Sequence, residues 1–305
     1  MTLSPSHIAP TPTILTIGNF DGLHLGHRTL IDMTIALARS WGGRAVLITF
    51  VPHPKVFFAP QAHFFIHPER IRERMLNSIG LDEVIYLPFG DIYQMTPRAF
   101  FDEVILSLDP VAIVLGDNFS FGCRKSGNID DLRRFCCESD IALHALGRTT
   151  FDHCPVSSTR IRAAIREGNI AMANKMLGVP YTLYGCVEHG AQRGRTLGFP
   201  TANIHVPDQV LPATGVYATR VATESDDDWH DAMTAVTHTP SFGCVDTVIE
   251  SNIFDFNGDL YDRRIRVEFY EFIRHEMVFD SKECLIRQIE CDKQAIREIL
   301  AALEK

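Results

Sequence analysis

Over its first 177 residues the chain alternates single apolar runs with amphipathic stretches, and that alternation admits few folds. Ile14, Leu15 and Ile17 form the first run; Ala45 to Phe50, Glu83 to Leu87, Val111 to Leu115 and Ile141 to Leu146 form the next four. Between them, Arg28 to Trp41, Pro68 to Ile79, Thr96 to Leu108 and Asn128 to Ser139 read as helices. Strand and helix taking turns, with no repeated hairpins, predicts an α/β fold built on a doubly wound parallel sheet. In such sheets ligands bind at the carboxyl ends of the strands.

Two more helices, Ser157 to Glu167 and Ile170 to Leu177, precede Gly178-Val179-Pro180, which breaks the helical pattern. Beyond it come Tyr181 to Val187, Gly215 to Val221, Ala232 to Val236, Thr247 to Phe254 and Ile265 to Phe272, separated only by turn and polar segments. Ser281 to Lys305 alone reads as a helix there. A small antiparallel β-barrel with a C-terminal helix is expected. We place the boundary near residue 180, giving domains 1–180 and 181–305. A chain of 305 residues, 46% apolar and 22% charged, is long enough for two ordinary cores.

A formal net charge of −9 opposes an extended nucleic-acid or anionic-membrane surface, since either needs a basic face. The first ten residues lack the charged start and apolar centre of a signal peptide, and no apolar run approaches the length of a membrane span. The expected location is cytoplasmic. The eight cysteines contain no C-x-x-C pair, so they are expected to be small apolar fillers, without zinc or disulfides.

Four strings in the first half carry chemistry. Gly18 to His27, G-N-F-D-G-L-H-L-G-H, joins the first strand to the first helix, so backbone N–H groups and the helix's positive end converge where an anion can sit. His24 and His27, close across Gly26, can donate to phosphate oxygens or carry charge beside a triphosphate. Thr49 to Pro54, T-F-V-P-H-P, uses two prolines to hold His53 in a stiff loop near the sheet's carboxyl edge. Gly116 to Gly122, G-D-N-F-S-F-G, permits close backbone approach, and its Phe119 and Phe121 serve either as stacking surface or as core; Lys125 lies just beyond. Val156 to Arg162, V-S-S-T-R-I-R, opens a helix capped by Ser157 or Ser158 and gathers hydroxyls with Arg160 and Arg162.

Two strings stand out in the second half. Gly190 to Asn203, G-A-Q-R-G-R-T-L-G-F-P-T-A-N, combines Gly190, Gly194, Gly198 and Arg195 in an anion-binding loop. After Pro200, the Thr201 hydroxyl and Asn203 amide lie two residues apart on one strand face, as hard oxygen ligands for Mg²⁺ carrying a nucleotide. In Thr247 to Tyr261, Glu250 is flanked by apolar residues, a partly dry place for a carboxylate that takes a proton from a hydroxyl.

Together these strings resemble the bifunctional riboflavin kinase/FAD synthetase family. Its members show G-N-F-D-G-x-H-x-G-H, T-F-x-P-H-P, G-x-D-F-x-F-G and S-S-T-R-I-R in that order, and here Asn118 stands at the usual aspartate. The resemblance implies a Rossmann-like nucleotidyltransferase domain followed by a riboflavin kinase barrel, using ATP, riboflavin and FMN to make FMN, FAD and pyrophosphate with Mg²⁺. In the first domain it assigns catalysis to His24, His27 and Arg162. ATP and FMN binding falls to Gly18, Asn19, Phe20, Asp21, Gly26, His53, Asn118, Phe119, Lys125, Ser157, Ser158, Thr159 and Arg160. In the second domain Glu250 is the general base and Thr201 and Asn203 hold Mg²⁺, while Gly190, Gly194, Arg195, Gly198, Pro200 and Arg274 bind ATP or flavin. His53 to Phe65 and Gly190 to Thr196 are the lid candidates.

One segment departs from the family pattern. Where members carry N-x-G-x-R-P-T, this chain reads A-V-T-H-T-P-S from Ala235 to Ser241, and a threonine cannot replace an arginine's charge and planar donors. An FAD synthetase whose second domain only binds flavin is therefore the alternative reading, and a non-catalytic flavin or nucleotide sensor a remoter one. Partners are expected to be small-molecule flavins and ATP, with assembly as a homo-oligomer left open.

Overall fold

A computed structural model of the protein describes residues 11–189, 198–241 and 244–303. The chain divides into two compact units, Met1–Gln61 with Arg70–Val156 and Ala62–Glu69 with Ser157–Lys305.

The first unit is a five-stranded, wholly parallel sheet of β1 (Thr13–Ile17), β2 (Arg44–Val51), β3 (Glu83–Pro88), β4 (Pro110–Gly116) and β5 (Ala142–Leu146), in the order β3-β2-β1-β4-β5. Its helices include α1 (Leu25–Ser40), α2 (Pro54–Phe58), α3 (Glu69–Ser78) and α4 (Ile129–Glu138). Alternate residues of the buried strands feed opposite faces. Leu15, Val46 and Ile113 pack with Leu132 and Phe135 of α4, whereas Ile14, Leu47 and Val114 pack with Ile31 and Ile35 of α1 and Leu76 of α3. The strand order reverses between β1 and β4, so the turns after Ile17 and Gly116 lie at the point where such sheets bind ligands.

Two local features differ from expectation. Residues 54–58 form the short helix α2 instead of continuing a loop, because Pro54 pre-sets a helical φ at its first position. The helix expected over Thr96 to Leu108 changes type, with α-helical Pro97–Ala99, π-helical Phe100–Ile105 and 3-10 Leu106–Leu108. Phe100, Phe101 and Ile105 of this turn are buried in the core.

The second unit holds α5 (Ser158–Arg166), α6 (Ile170–Leu177), a closed antiparallel barrel and the C-terminal α7 (Lys282–Ala302). The barrel strands are β6 (Tyr181–Glu188), β7 (Ala202–His205), β8 (Gly215–Thr223), β9 (His230–Ser241), β10 (Cys244–Ile253) and β11 (Arg264–Arg274). They close in the order β6-β7-β10-β9-β8-β11, with β11 pairing back onto β6. Closure gives each barrel strand a neighbour on both sides. Buried residues of the barrel include Leu183, Tyr217, Thr219, Thr234, Ile249, Ser251, Val267 and Phe269. Among them the hydroxyls of Thr219, Thr234 and Ser251 form a chain with 2.7 Å between successive oxygens, which satisfies these buried polar groups. Outside the barrel, Ile296 and Leu300 of α7 pack with Ala218 and Phe254.

Candidate active sites

In the first unit, the turn after β1 is held by backbone bonds and by conformations that only a committed fold sustains. Gly18 N–H donates to the Ile48 carbonyl at 3.0 Å. Phe20 (φ 49°) and Leu23 (φ 41°) are left-handed without being glycine, and both are buried. Such conformations cost roughly 1–3 kcal/mol each and cluster at ligand clamps. Beneath the turn, fully buried Arg72 donates from Nη1 to the Asn19 carbonyl at 3.0 Å, and the Thr49 hydroxyl donates to the same oxygen at 3.2 Å. Asp21 is also buried.

His24 caps α1. Its Nδ1 accepts the His27 N–H at 3.3 Å and its carbonyl accepts the Arg28 N–H at 3.0 Å, which puts the proton of neutral His24 on Nε2. The two imidazoles stack with centroids 3.6 Å apart and planes 15° apart. Gly26 permits this, because a Cβ there would come within 3.3 Å of the His24 ring. Burial, and then the neighbouring His24, hold the His27 imidazole well below its ordinary value of 6.5. His27 is therefore neutral at pH 7 in the free protein. Its Nδ1 and the Asn19 Oδ1 are buried without a hydrogen-bond partner, two polar atoms that a bound ligand would satisfy.

The other predicted residues of this half take varied places. His53 is buried and caps α2, its Nδ1 accepting the Lys55 N–H at 3.1 Å. Phe121 belongs to the core and Phe119 stacks on it at 5.5 Å, while Asn118 and Lys125 are exposed. Ser157 to Arg162 belongs to the second unit, so the structure divides the predicted adenylylation residues between the two units. There Ser157 Oγ accepts the Arg160 N–H at 3.3 Å as the cap of α5, and Thr159 is exposed. Arg160 Nη2 lies 3.9 Å from the Met172 sulfur. Buried Arg162 donates from Nε to the Phe64 carbonyl at 2.8 Å and lies 4.0 Å over the Phe64 ring.

In the second unit, a cavity of about 780 Å³ on the outside of the barrel brings Thr201, Asn203, Glu250 and Arg274 onto one wall system. Strand register explains the meeting. Glu250 faces Asn203 of β7 on one side and Ala235 of β9 on the other, and pleating turns these outward where Ser251 and Thr234 turn inward. Asn252 Nδ2 donates to the Pro200 carbonyl at 2.7 Å and so fixes the strand that carries Thr201 and Asn203. The altered positions Ala235 and Thr237 line the same cavity. Gly198 (φ 85°) is in the left-handed region, while Gly190, Gly194 and Arg195 lie outside the described residues. Sequence reasoning missed Arg72, since a buried arginine on an otherwise charged helix leaves no periodic mark, and Asn252, which only the register reveals.

The family models described as FAD synthetase and riboflavin kinase match residues 7–160 and 177–300. A bifunctional riboflavin kinase/FMN adenylyltransferase of Listeria monocytogenes is 34% identical over 95% of this chain and 93% of its own. The protein of that name from Bacillus subtilis is 31% identical over 96% and 94%, and the one from Escherichia coli 32% over 93% and 92%. Among solved structures, a Streptococcus pneumoniae protein named as a macrolide-efflux protein matches with a TM-score of 0.86 at 33% identity, covering 95% of each chain. Efflux is a statement about that protein; among the described residues here no helix is long and apolar enough to cross a membrane. Both halves match in order, and the likeness to curated relatives runs nearly end to end, so the chain belongs to the bifunctional riboflavin kinase/FMN adenylyltransferase family.

Proposed function

We propose that the chain carries out two successive steps of flavin cofactor synthesis, phosphorylating riboflavin to FMN with one ATP and adenylylating FMN to FAD with another. The kinase step is assigned to residues 181–305 and the adenylyl step to residues 1–180, a division supported by the family matches at 177–300 and 7–160. A cytoplasmic location, where ATP is available, is part of the same proposal. The observation that carries the reading is the cavity shared by Thr201, Asn203 and Glu250, because it keeps the kinase residues together despite the altered Ala235 to Ser241 segment.

In the kinase step the Glu250 carboxylate takes the proton of the riboflavin 5′-hydroxyl as that oxygen attacks the γ-phosphorus, and ADP leaves. The Thr201 hydroxyl and Asn203 amide orient the phosphates. Hydroxyl, amide and carboxylate oxygens are the donors that suit Mg²⁺, and no cluster of three or more metal-binding His, Cys, Asp or Glu occurs among the described residues. Mg²⁺ arriving on the nucleotide needs no such cluster, and when bound it neutralises phosphate charge. In the adenylyl step the FMN phosphate attacks the α-phosphorus and pyrophosphate leaves. His24 donates from Nε2 and His27 from a ring N–H to the phosphate oxygens, beside the amides opening α1. Arg162, buried on Phe64, serves by holding its segment in place. Neither displacement needs a covalent enzyme intermediate.

Purified protein with ATP and Mg²⁺ is supplied with riboflavin or with FMN, and the flavins are separated by chromatography over time. We expect FAD from both, with FMN as the intermediate in the first. Glu250→Gln should abolish FMN formation from riboflavin and leave FAD formation from FMN intact. The presence of Ala235 and Thr237 on the cavity wall favours one second reading, an FAD synthetase whose barrel only binds flavin. FAD from FMN alone would select it, and no FAD from either would sink both.

A further inference from the structure

Asp292 of α7 occupies a costly place for a carboxylate. It is 3% exposed, one turn from Ile296, which is fully buried. Its Oδ2 accepts both Nε and Nη2 of Arg274, at 2.9 and 2.8 Å, and its Oδ1 accepts Gln288 Nε2 at 2.8 Å. Arg274 Nη1 donates to the carbonyl of His275 at 3.0 Å. Each of the three guanidinium nitrogens thus has a protein acceptor, with Phe279 5.9 Å from the group's centre.

A buried ion pair is seldom the cheapest way to hold two elements together, because desolvating both charges offsets most of their attraction. Here α7 already has an apolar seam of Ile296 and Leu300 against Ala218 and Phe254. What the pair adds is direction. Two donors of a planar fork converging on one oxygen, with Gln288 holding the other, fix orientation as well as distance. It does so at Arg274, the last residue of β11, where the chain leaves the barrel and residues 276–279 become cavity wall. The facing strand leaves no slack: Val216 pairs with Arg274, and a Cβ on Gly215 would lie 2.6 Å from the Arg274 carbonyl. The wall so held is mostly apolar, with Met277, Val278 and Phe279, and it suits a flat ring better than a phosphate.

We infer that Asp292 is a positioning residue for riboflavin phosphorylation, acting through Arg274 to set the Glu276 to Phe279 wall against the flavin ring. Arg274 is then a strut and not a phosphate ligand. The inference rests on the kinase reading of the cavity.

Three variants test it: Asp292→Asn, Gln288→Leu, and the apolar pair Arg274→Met with Asp292→Leu. For each, riboflavin KM, ATP KM and kcat are measured with the thermal midpoint, and riboflavin Kd is read from flavin fluorescence. Asp292→Asn should raise the riboflavin KM about 10-fold or more, with kcat changing less and ATP KM unmoved, the usual scale for a displaced positioning group. Gln288→Leu should move it the same way by a smaller factor. The apolar pair should recover the wild-type midpoint while keeping the raised KM. A wild-type riboflavin KM in Asp292→Asn, or its recovery in the apolar pair, would show a packing role only and overturn the inference. Should the wild type bind riboflavin without turnover, the kinase reading fails and the Kd values still decide the role of Asp292. If it does neither, both fail.

Discussion

His27 carries more of the first site's character than its place in a short string suggests. A stacked, largely desolvated imidazole with an unpaired Nδ1 is poised to meet an anion while neutral, and to gain charge only when phosphate oxygens replace lost water. His27→Ala should lower FAD formation from FMN about 100-fold, the scale of one lost charge-stabilising donor, with riboflavin phosphorylation unchanged. The same variant has a stability signature. Because the folded pKa is depressed below 6.5, the unfolded chain takes up the proton first as pH falls, so this contribution is intact above about 6.5 and lost below it. Thermal midpoints measured from pH 8 to pH 5 should fall more steeply in the wild type than in His27→Ala. Parallel curves would mean that His27 titrates normally. At this scale the sequence was generous: the H-x-G-H spacing, the strand before it and the helix after it are all local. It was silent about Arg72 under Asn19, since a contact spanning 53 residues has no local pattern.

Capping joins residue to element, and α5 tests it. Ser157→Ala removes the acceptor of the Arg160 N–H and should cost about 1 kcal/mol of stability in the second unit, seen as a lower urea midpoint. Ser157→Asn keeps a cap, so FAD formation lost in that variant would report a contact between the hydroxyl and ligand, and retained FAD formation would leave Ser157 a cap alone. Elements were legible wherever one face or both had to be apolar. The parallel strands appeared as continuous apolar runs, and α6 begins and ends at the expected residues because Asn169 caps it and Gly178 closes it. Where tertiary pairing extends an element, the pattern stopped early. β9 runs from His230 to Ser241 although only Ala232 to Val236 reads as apolar strand, because pairing with β10 continues through polar residues. The cavity wall shows the same limit. Glu250 was suspected from its neighbours in sequence, yet its placement between Asn203 and Ala235 depends on two strand pairings that only the closed barrel fixes.

At the scale of the whole molecule, the chain enters its second unit twice, first as Ala62–Glu69 and again from Ser157 onward. No periodicity announces the first entry, because His63 to His67 has no repeat and is paired by single bonds. Phe65 N–H donates to the Asp208 carbonyl at 3.0 Å, and Val210 N–H to the Phe65 carbonyl at 2.8 Å. Between them sits Gln209, fully buried, with Oε1 accepting the Tyr184 N–H at 3.0 Å and Nε2 donating to the Ile66 carbonyl at 2.8 Å and to the Thr182 carbonyl. One amide thus satisfies three backbone groups on two segments far apart in sequence. Gln209→Leu keeps the volume but removes the amide partner of those groups, and since a buried polar group deprived of its partner costs about 1–3 kcal/mol, a loss on that scale is expected. Because Ala62–Glu69 follows the His53 loop and leads into α3, its release would also free a segment that is covalently tied to the first unit at both ends. Faster hydrogen exchange at the Phe65 and Val210 amides, together with a lower thermal midpoint, would establish Gln209 as the fastening of this insertion. Unchanged exchange at both amides would mean that the packing of Phe64, Phe65 and Ile66 alone holds the segment, and that the buried amide serves the barrel only.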